Sequence, residues 1–320
     1  MNIESPTGHN LLIRLKAALL GVVGSFVLFA AYLAVPPIGI FSGMLAPFPA
    51  AYNRLVYGRM PSLIILLGST AAITAIFGFF AGFLYFGMCG MISYLMPELL
   101  LLGFSCSRTL FWTTAANVAF FAVGFIAYSS VSGVDLQGLV SNEISGSIKQ
   151  AVAIYEKAGV KGEDLDLLKR SMATGADLLS KLFPALVATL FVIIAGGNLA
   201  LLKRTTLKLN LPISIGELNT FRTPDLLVWV LITAGFAMLL PTSIITTPAL
   251  NILLVVSMIY FIQGMAVVGT MISKSSVSAI VRIILYVMLI IQPYLLALIA
   301  GIGLFDLWVD FRTPKTQENL

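Results

Sequence analysis

Four amide side chains are the groups of this sequence best suited to contact a solute. Asn117, Asn198, Gln263 and Gln292 each fall inside an otherwise apolar run. Lipid satisfies neither the donor nor the acceptor of an amide, and burying one unpaired costs several kcal/mol, so each must face other helices or a wet cavity. Two roles stay open for each: an interhelical hydrogen bond, worth about 0.6 kcal/mol, or contact with a ligand. Gln263 precedes Gly264 and Gln292 precedes Pro293. Glycine or proline beside an amide opens the backbone and frees carbonyls, which makes these two the stronger ligand candidates. Tyr260, Tyr286 and Tyr294 share the same last two apolar runs. The expected substrate-binding residues are therefore Gln263, Tyr260, Gln292, Asn198 and Asn117.

Other chemistry has little to work with, and no catalytic residue, metal ligand or cofactor site is assigned. The single histidine, His9, stands in a polar N-terminal tail, so an HExxH helix or a His-rich metal site is impossible. Cys89 and Cys106 make no CxxC spacing and imply neither a disulfide framework nor a zinc site. No GxxxxGK[ST] phosphate loop and no GxSxG elbow occurs. Paired intramembrane carboxylates, the mark of proton relays, are missing too, and Glu98 beside Pro97 reads as interfacial. Binding is thus favoured over catalysis or proton-driven exchange. Small residues at four-residue spacing, Ala30 with Ala34 and Gly78 with Gly82, permit close helix approach within the fold or to a partner.

The elements that must position these groups follow from hydropathy. Of 320 residues, 59% are hydrophobic and 10% charged, against about 25% charged in a soluble domain. A core of this size cannot absorb that excess, so lipid must cover much of the surface. The expected fold is an all-α, polytopic transmembrane bundle, with the bilayer as its main partner and nucleic acid excluded. The first apolar run, 17–35, exceeds a signal-peptide core and reads as an uncleaved span ended by Pro36 and Pro37. Run 38–52 is short and holds Pro47 and Pro49, so it is either a broken span or a re-entrant element. Run 62–97 reads as two short spans meeting near 78–82. Runs 110–129, 182–202, 226–240, 250–272 and 279–304 complete a count of about nine spans, with seven or eight as alternatives.

Residues 131–181 differ in composition and carry seven acids and six bases. Val140, Ile144, Ile148, Val152 and Tyr155 recur at helical spacing. After a turn at 159–162, Leu165, Leu168, Met172, Leu179 and Leu182 do the same, with Glu163 and Asp164 suited to a first turn. The expected organisation is a cytoplasmic tail (1–16), N-terminal spans (17–130), an extracytoplasmic amphipathic helical insertion (131–181), C-terminal spans (182–304) and a tail (305–320). Loop bases set the orientation. Arg14, Lys16, Arg54, Arg59, Arg108, Lys203, Arg204, Lys208, Arg222, Lys274 and Arg282 fall inside, against Arg312 and Lys315 outside. The expected location is the bacterial cytoplasmic membrane.

The C-terminal third carries a resemblance. Leu250-Asn251 opening a span, the run from Tyr260 through Gln263-Gly264 to Val268, and the run from Gly303 through Asp306, Trp308 and Asp310 to Arg312 resemble the YybS-like family of multispanning bacterial proteins. Phe221 and Pro224 before the next span fit the same pattern. That family is distantly similar to the substrate-binding membrane subunits of energy-coupling-factor transporters. The resemblance implies a helical subunit that captures a vitamin or metal, driven by a separate transmembrane coupling protein and ATPase subunits. No vitamin-site motif transfers residue by residue.

Three readings follow. The first is a solute-binding membrane subunit with a pocket among the last spans and 131–181 as a lid. The second is a non-transporting scaffold that organises envelope proteins through 131–181. The third is a membrane enzyme using Asp135, Glu143, Asp306 and Asp310 as bases or cation ligands, although Arg312 beside the last two favours an anchoring role.

Overall fold

The computed structural model describes residues 11–133, 136–211, 221–274, 278, 284, 288, 292–309 and 311–312. His9, Asp135, Arg282, Tyr286, Asp310 and most of 279–291 lie outside them. Every element among the described residues is an α-helix: α1 (Leu11–Ala34), α2 (Pro36–Leu45), α3 (Phe48–Tyr57), α4 (Arg59–Phe77), α5 (Phe79–Leu101), α6 (Cys106–Ser132), α7 (Leu136–Lys157), α8 (Glu163–Lys208), α9 (Leu226–Ala237), α10 (Ser243–Lys274) and α11 (Pro293–Val309). Six of these, α1, α4, α5, α6, α8 and α10, are long and apolar enough to cross a membrane. Contacts divide the chain into two compact units. One comprises Met1–Phe121, Leu190–Pro224 and Ile259–Leu320, and the other Ala122–Thr189 and Asp225–Met258.

In the first unit, the proline-bearing run forms two short helices, α2 and α3. Pro36 sits at the start of α2, where its missing N–H costs nothing. Antiparallel pairing with α1 is fixed by Gly39 against Ala31 and Tyr32, and by Gly21 beside Asn53. From residue 36 to residue 57 the two helices supply about 33 Å of rise, enough for a hydrocarbon core of about 30 Å. The helical run is therefore longer than 38–52, at Pro36–Leu45 and Phe48–Tyr57, and it packs antiparallel along α1. Next, α4 runs parallel to α1, with Ser69 Oγ donating to Val22 O at 3.2 Å and Phe77 6.3 Å from Phe26. Gly78, at φ +92°, breaks the apolar stretch where two short spans are expected to meet. In the last turn of the returning α5, Glu98 accepts Arg54 Nε at 2.7 Å, Arg54 Nη2 at 2.9 Å and Arg59 Nε at 3.1 Å.

The expected small-residue pairs act only in part. Gly82 packs so closely on Thr74 that a Cβ there would strike the Thr74 hydroxyl. Gly78 serves as a turn instead, Ala30 is half-buried and Ala34 exposed. The tight contacts come from Gly39 and Gly43 on α1, and from Gly264 and Gly303 at the antiparallel crossing of α10 and α11. A Cβ at Gly264 would meet the Ile299 carbonyl, and one at Gly303 the Tyr260 carbonyl.

The second unit holds the polar interlude as a helical hairpin. The end of α7 is closed by Val160 N donating to Tyr155 O and Gly159 N to Glu156 O, with Gly159 at φ +95°. Lys169 Nζ reaches Glu156 Oε1 at 2.9 Å across the hairpin. Acids fill the first turn of α8, as its macrodipole favours. The change of composition at 181 is not a helix end, since α8 continues to Lys208 over 46 residues. What marks that point is an opened ladder. Pro184 removes one N–H, and the Asn251 amide inserts beside it, accepting from Ala185 N at 2.9 Å and donating to Lys181 O at 2.7 Å.

Gly264→Ala is expected to destabilise the protein by about 1–3 kcal/mol, because backbone carbonyl and not a side-chain tip occupies the space a Cβ needs. Ala34→Leu on an exposed face is expected to stay within about 0.5 kcal/mol. Denaturation midpoints of the purified variants in detergent check both.

Candidate functional site

Pro47 and Pro49 set the first site. They lack the N–H groups that would complete the ladder at Gly43 O and Leu45 O, so α2 ends and α3 begins anew around Ala46 and Pro47. Gly43 O accepts from Ala46 N instead and Pro47 O from Ala51 N, and side chains of three further helices bond carbonyls around this junction. Ser25 Oγ of α1 donates to Ala46 O at 2.7 Å, Ser93 Oγ of α5 to Pro47 O at 3.4 Å, and Asn198 Nδ2 of α8 to Met44 O at 2.8 Å. All three side chains are fully buried. Ser25 lies midway along α1, so the opening sits near the middle of a helix long enough to span.

Further buried polar residues lie on α6. Asn117 Nδ2 of α6 donates to Met88 O of α5 at 3.4 Å, and Phe120 packs 5.6 Å from Phe86. Phe121 lies 5.5 Å from Phe191, while Lys203 is within electrostatic range of Cys106, so α6 and α8 run antiparallel. Counting back along both helices brings Thr113 and Asn117 within a turn of Asn198. Pro47 bonded to Ser93, and Arg54 to Glu98, place Met44 at the height of Met88. Of the expected amides, Asn117 is bonded to α5 and Asn198 to α2. Asn117 Oδ1, Asn198 Oδ1 and Thr113 Oγ1 are buried and have no hydrogen-bond partner among the described residues.

Gln263 belongs to a second cluster. Its Oε1 accepts from Thr223 N at 2.9 Å and from Thr223 Oγ1 at 2.7 Å, and its Nε2 donates to Asp306 Oδ2 at 3.1 Å. The backbone donor on one side and the carboxylate on the other fix the amide's orientation. Arg312 Nη2 donates to Asp306 Oδ2 at 2.7 Å and to Phe221 O at 2.8 Å, and Phe311 N donates to Asp306 Oδ1 at 3.2 Å. The bonding seen at Gln263 is interhelical, and Asp306 plays the anchoring role that Arg312 suggested. Tyr260 is buried one turn away, beside the Gly303 crossing. Gln292 is exposed just before α11, about 21 Å of helix rise from Asp306, so it does not join Gln263. Tyr294 is 84% exposed.

A third feature lies in the hairpin. Ser141, Ser145 and Lys149 of α7, with Ala176, Asp177 and Ser180 of α8, line a groove of about 630 Å³. Lys181 at its edge is paired with Asp177 at 2.6 Å. Sequence reasoning missed Ser25, Ser93, Thr113 and Thr223, which are common residue types in membrane helices. The proline pair inside run 38–52 was the available signal, since proline frees carbonyls there as it was expected to do near Gln292.

Six helices long and apolar enough to cross a membrane, with buried amides between helices, make this a multi-pass helical membrane protein. A family model described as predicted membrane protein (DUF2232) matches residues 23–307, and the chain belongs to that family. No curated protein and no solved structure matches it.

Removing one partner of the buried pair leaves an uncompensated charge, so Arg312→Gln and Asp306→Asn are each expected to cost about 3–5 kcal/mol. The double variant is expected to lose less than the sum of the two, because no lone charge remains. A double-mutant cycle on unfolding free energies reads this directly.

Proposed function

We propose that the chain is a solute-binding membrane subunit with no ATPase of its own, working by binding and not by catalysis. The observation that carries this reading is the opened span: α2 and α3 meet at mid-depth, and their carbonyls are held by Ser25, Ser93 and Asn198. Discontinuous helices whose ends face the interior near the midplane are the usual setting for substrate and ion sites in membrane transporters. The pocket is thus proposed around Asn198 and Asn117 rather than among the last spans, with Gln263 and Tyr260 supporting the crossing of α10 and α11. The likeness of the C-terminal segments to the YybS-like family, and through it to energy-coupling-factor subunits, supports the same reading. Drive then comes from a separate transmembrane coupling protein and ATPase subunits, with the α7–α8 hairpin outside the cytoplasm.

One observation favours a second reading, a scaffold for envelope proteins. The hairpin groove offers hydroxyls and a charged rim away from the apolar spans, and a partner protein would dock there.

A bound solute is expected to raise the melting midpoint by RT ln(1 + [L]/Kd) in free-energy terms, and Asn198→Ala to abolish the shift. A panel of vitamins and small polar solutes on purified protein tests this, and a flat response across it counts against binding. Under the scaffold reading, deleting 131–181 destroys function while Asn198→Ala leaves it intact.

A further inference from the structure

Two arginines converge on one carboxylate where α3, α4 and α5 meet. Arg54 and Arg59 each donate Nε and Nη2 to Glu98, Arg54 at 2.7 and 2.9 Å and Arg59 at 3.1 and 3.4 Å. Each Glu98 oxygen thus accepts from both guanidiniums, and two positive charges face one negative charge. Arg54 and Glu98 are mostly covered, with side chains 13% and 15% exposed, whereas Arg59 is 64% exposed. One edge of the Arg59 guanidinium is therefore pinned, and its outer Nη1 makes no bond to Glu98. A fork already held in place loses little freedom when a second oxyanion binds it.

The place of the cluster says which oxyanion that is. Arg59 opens α4 and Glu98 lies in the last turn of α5, two helices long and apolar enough to cross a membrane. Their ends fall at the level of lipid headgroups. Tyr94, one turn before Glu98, is within electrostatic range of Arg59, and Tyr52 of Tyr57; tyrosines at a span end match the aromatic belt of a bilayer surface. From Arg59 onwards, the exposed residues Met60, Ile64 and Leu67 follow one face of α4, an apolar track for an acyl chain. We propose that Arg59, positioned by Glu98 and flanked by Tyr94, binds the phosphate of an anionic phospholipid whose chain lies along that track. A guanidinium edge matches two phosphate oxygens. The surplus positive charge selects a headgroup without an ammonium, because a zwitterionic lipid brings its own cation toward Arg59. This site stands apart from the solute-binding reading, and neither needs the other.

The test is thermal unfolding of the purified full chain in detergent, titrated with phosphatidylglycerol or with phosphatidylcholine of the same acyl chains. Phosphatidylglycerol is expected to raise the midpoint in a saturable way and phosphatidylcholine to leave it unmoved. Arg59→Gln is expected to raise the half-saturating phosphatidylglycerol concentration at least about tenfold, the loss of a charge-assisted hydrogen bond. It is expected to keep its midpoint in phosphatidylcholine, because an exposed ion pair contributes little and Arg54 still holds Glu98. Arg59→Lys keeps the charge but not the fork and is expected to fall between the two. Arg108→Gln, at another exposed base near a span end, is expected to bind like the parent. Equal increments from the two lipids overturn the proposal, as does an Arg59→Gln titration that matches the parent. Equal weakening in Arg59→Gln and Arg108→Gln also overturns it, since the attraction is then a diffuse surface charge. An increment reproduced by inorganic phosphate at equal concentration assigns the site to a soluble anion and overturns the lipid.

Discussion

A hydrocarbon interior supplies no water to a carbonyl that has lost its helical donor, and this constraint organises the first unit. Pro47 and Pro49 open a helix where Ser25 shows the chain to be midway along a spanning element. Around the junction Met44 O, Ala46 O and Pro47 O accept side-chain donors from α8, α1 and α5. Three helices with distant sequence positions are thereby tied to one point. Asn198 alone links residues 154 positions apart. The glycines at 39 and 43 complete the arrangement by letting α2 approach α1 at backbone distance, a contact that any larger residue would prevent.

The C-terminal segments are held by a different device with the same logic. Gly264 and Gly303 bring α10 and α11 into backbone contact, and next to that crossing the Gln263 amide joins Thr223 to Asp306. Arg312 then closes the group by bonding both Asp306 and the Phe221 carbonyl. A buried ion pair adds little net stability over good apolar packing, yet losing one partner is costly. Its contribution here is geometric: it holds the 221–224 segment and the end of α11 against one face of α10. Asn251 does comparable work in the second unit by inserting into α8 beside Pro184.

Composition and periodicity alone were enough for the class of protein, the helical nature of every element, the break near Gly78 and the amphipathic hairpin with its acidic first turn. These are local or one-dimensional properties: apolar length measured against bilayer thickness, helical spacing of side chains, and the missing N–H of proline. The need for each buried amide to find a partner was legible for the same reason. Which partner it finds was not. Gln263 and Asn198 read alike in the sequence, yet one is consumed by Thr223 and Asp306 while the other keeps a bare oxygen beside a broken helix. Gln292, immediately before a helix start, ends exposed. Hydrogen-bond partners of this kind lie tens of residues apart, and only the packed arrangement of α1, α2, α5, α6 and α8 decides which carbonyl faces which amide.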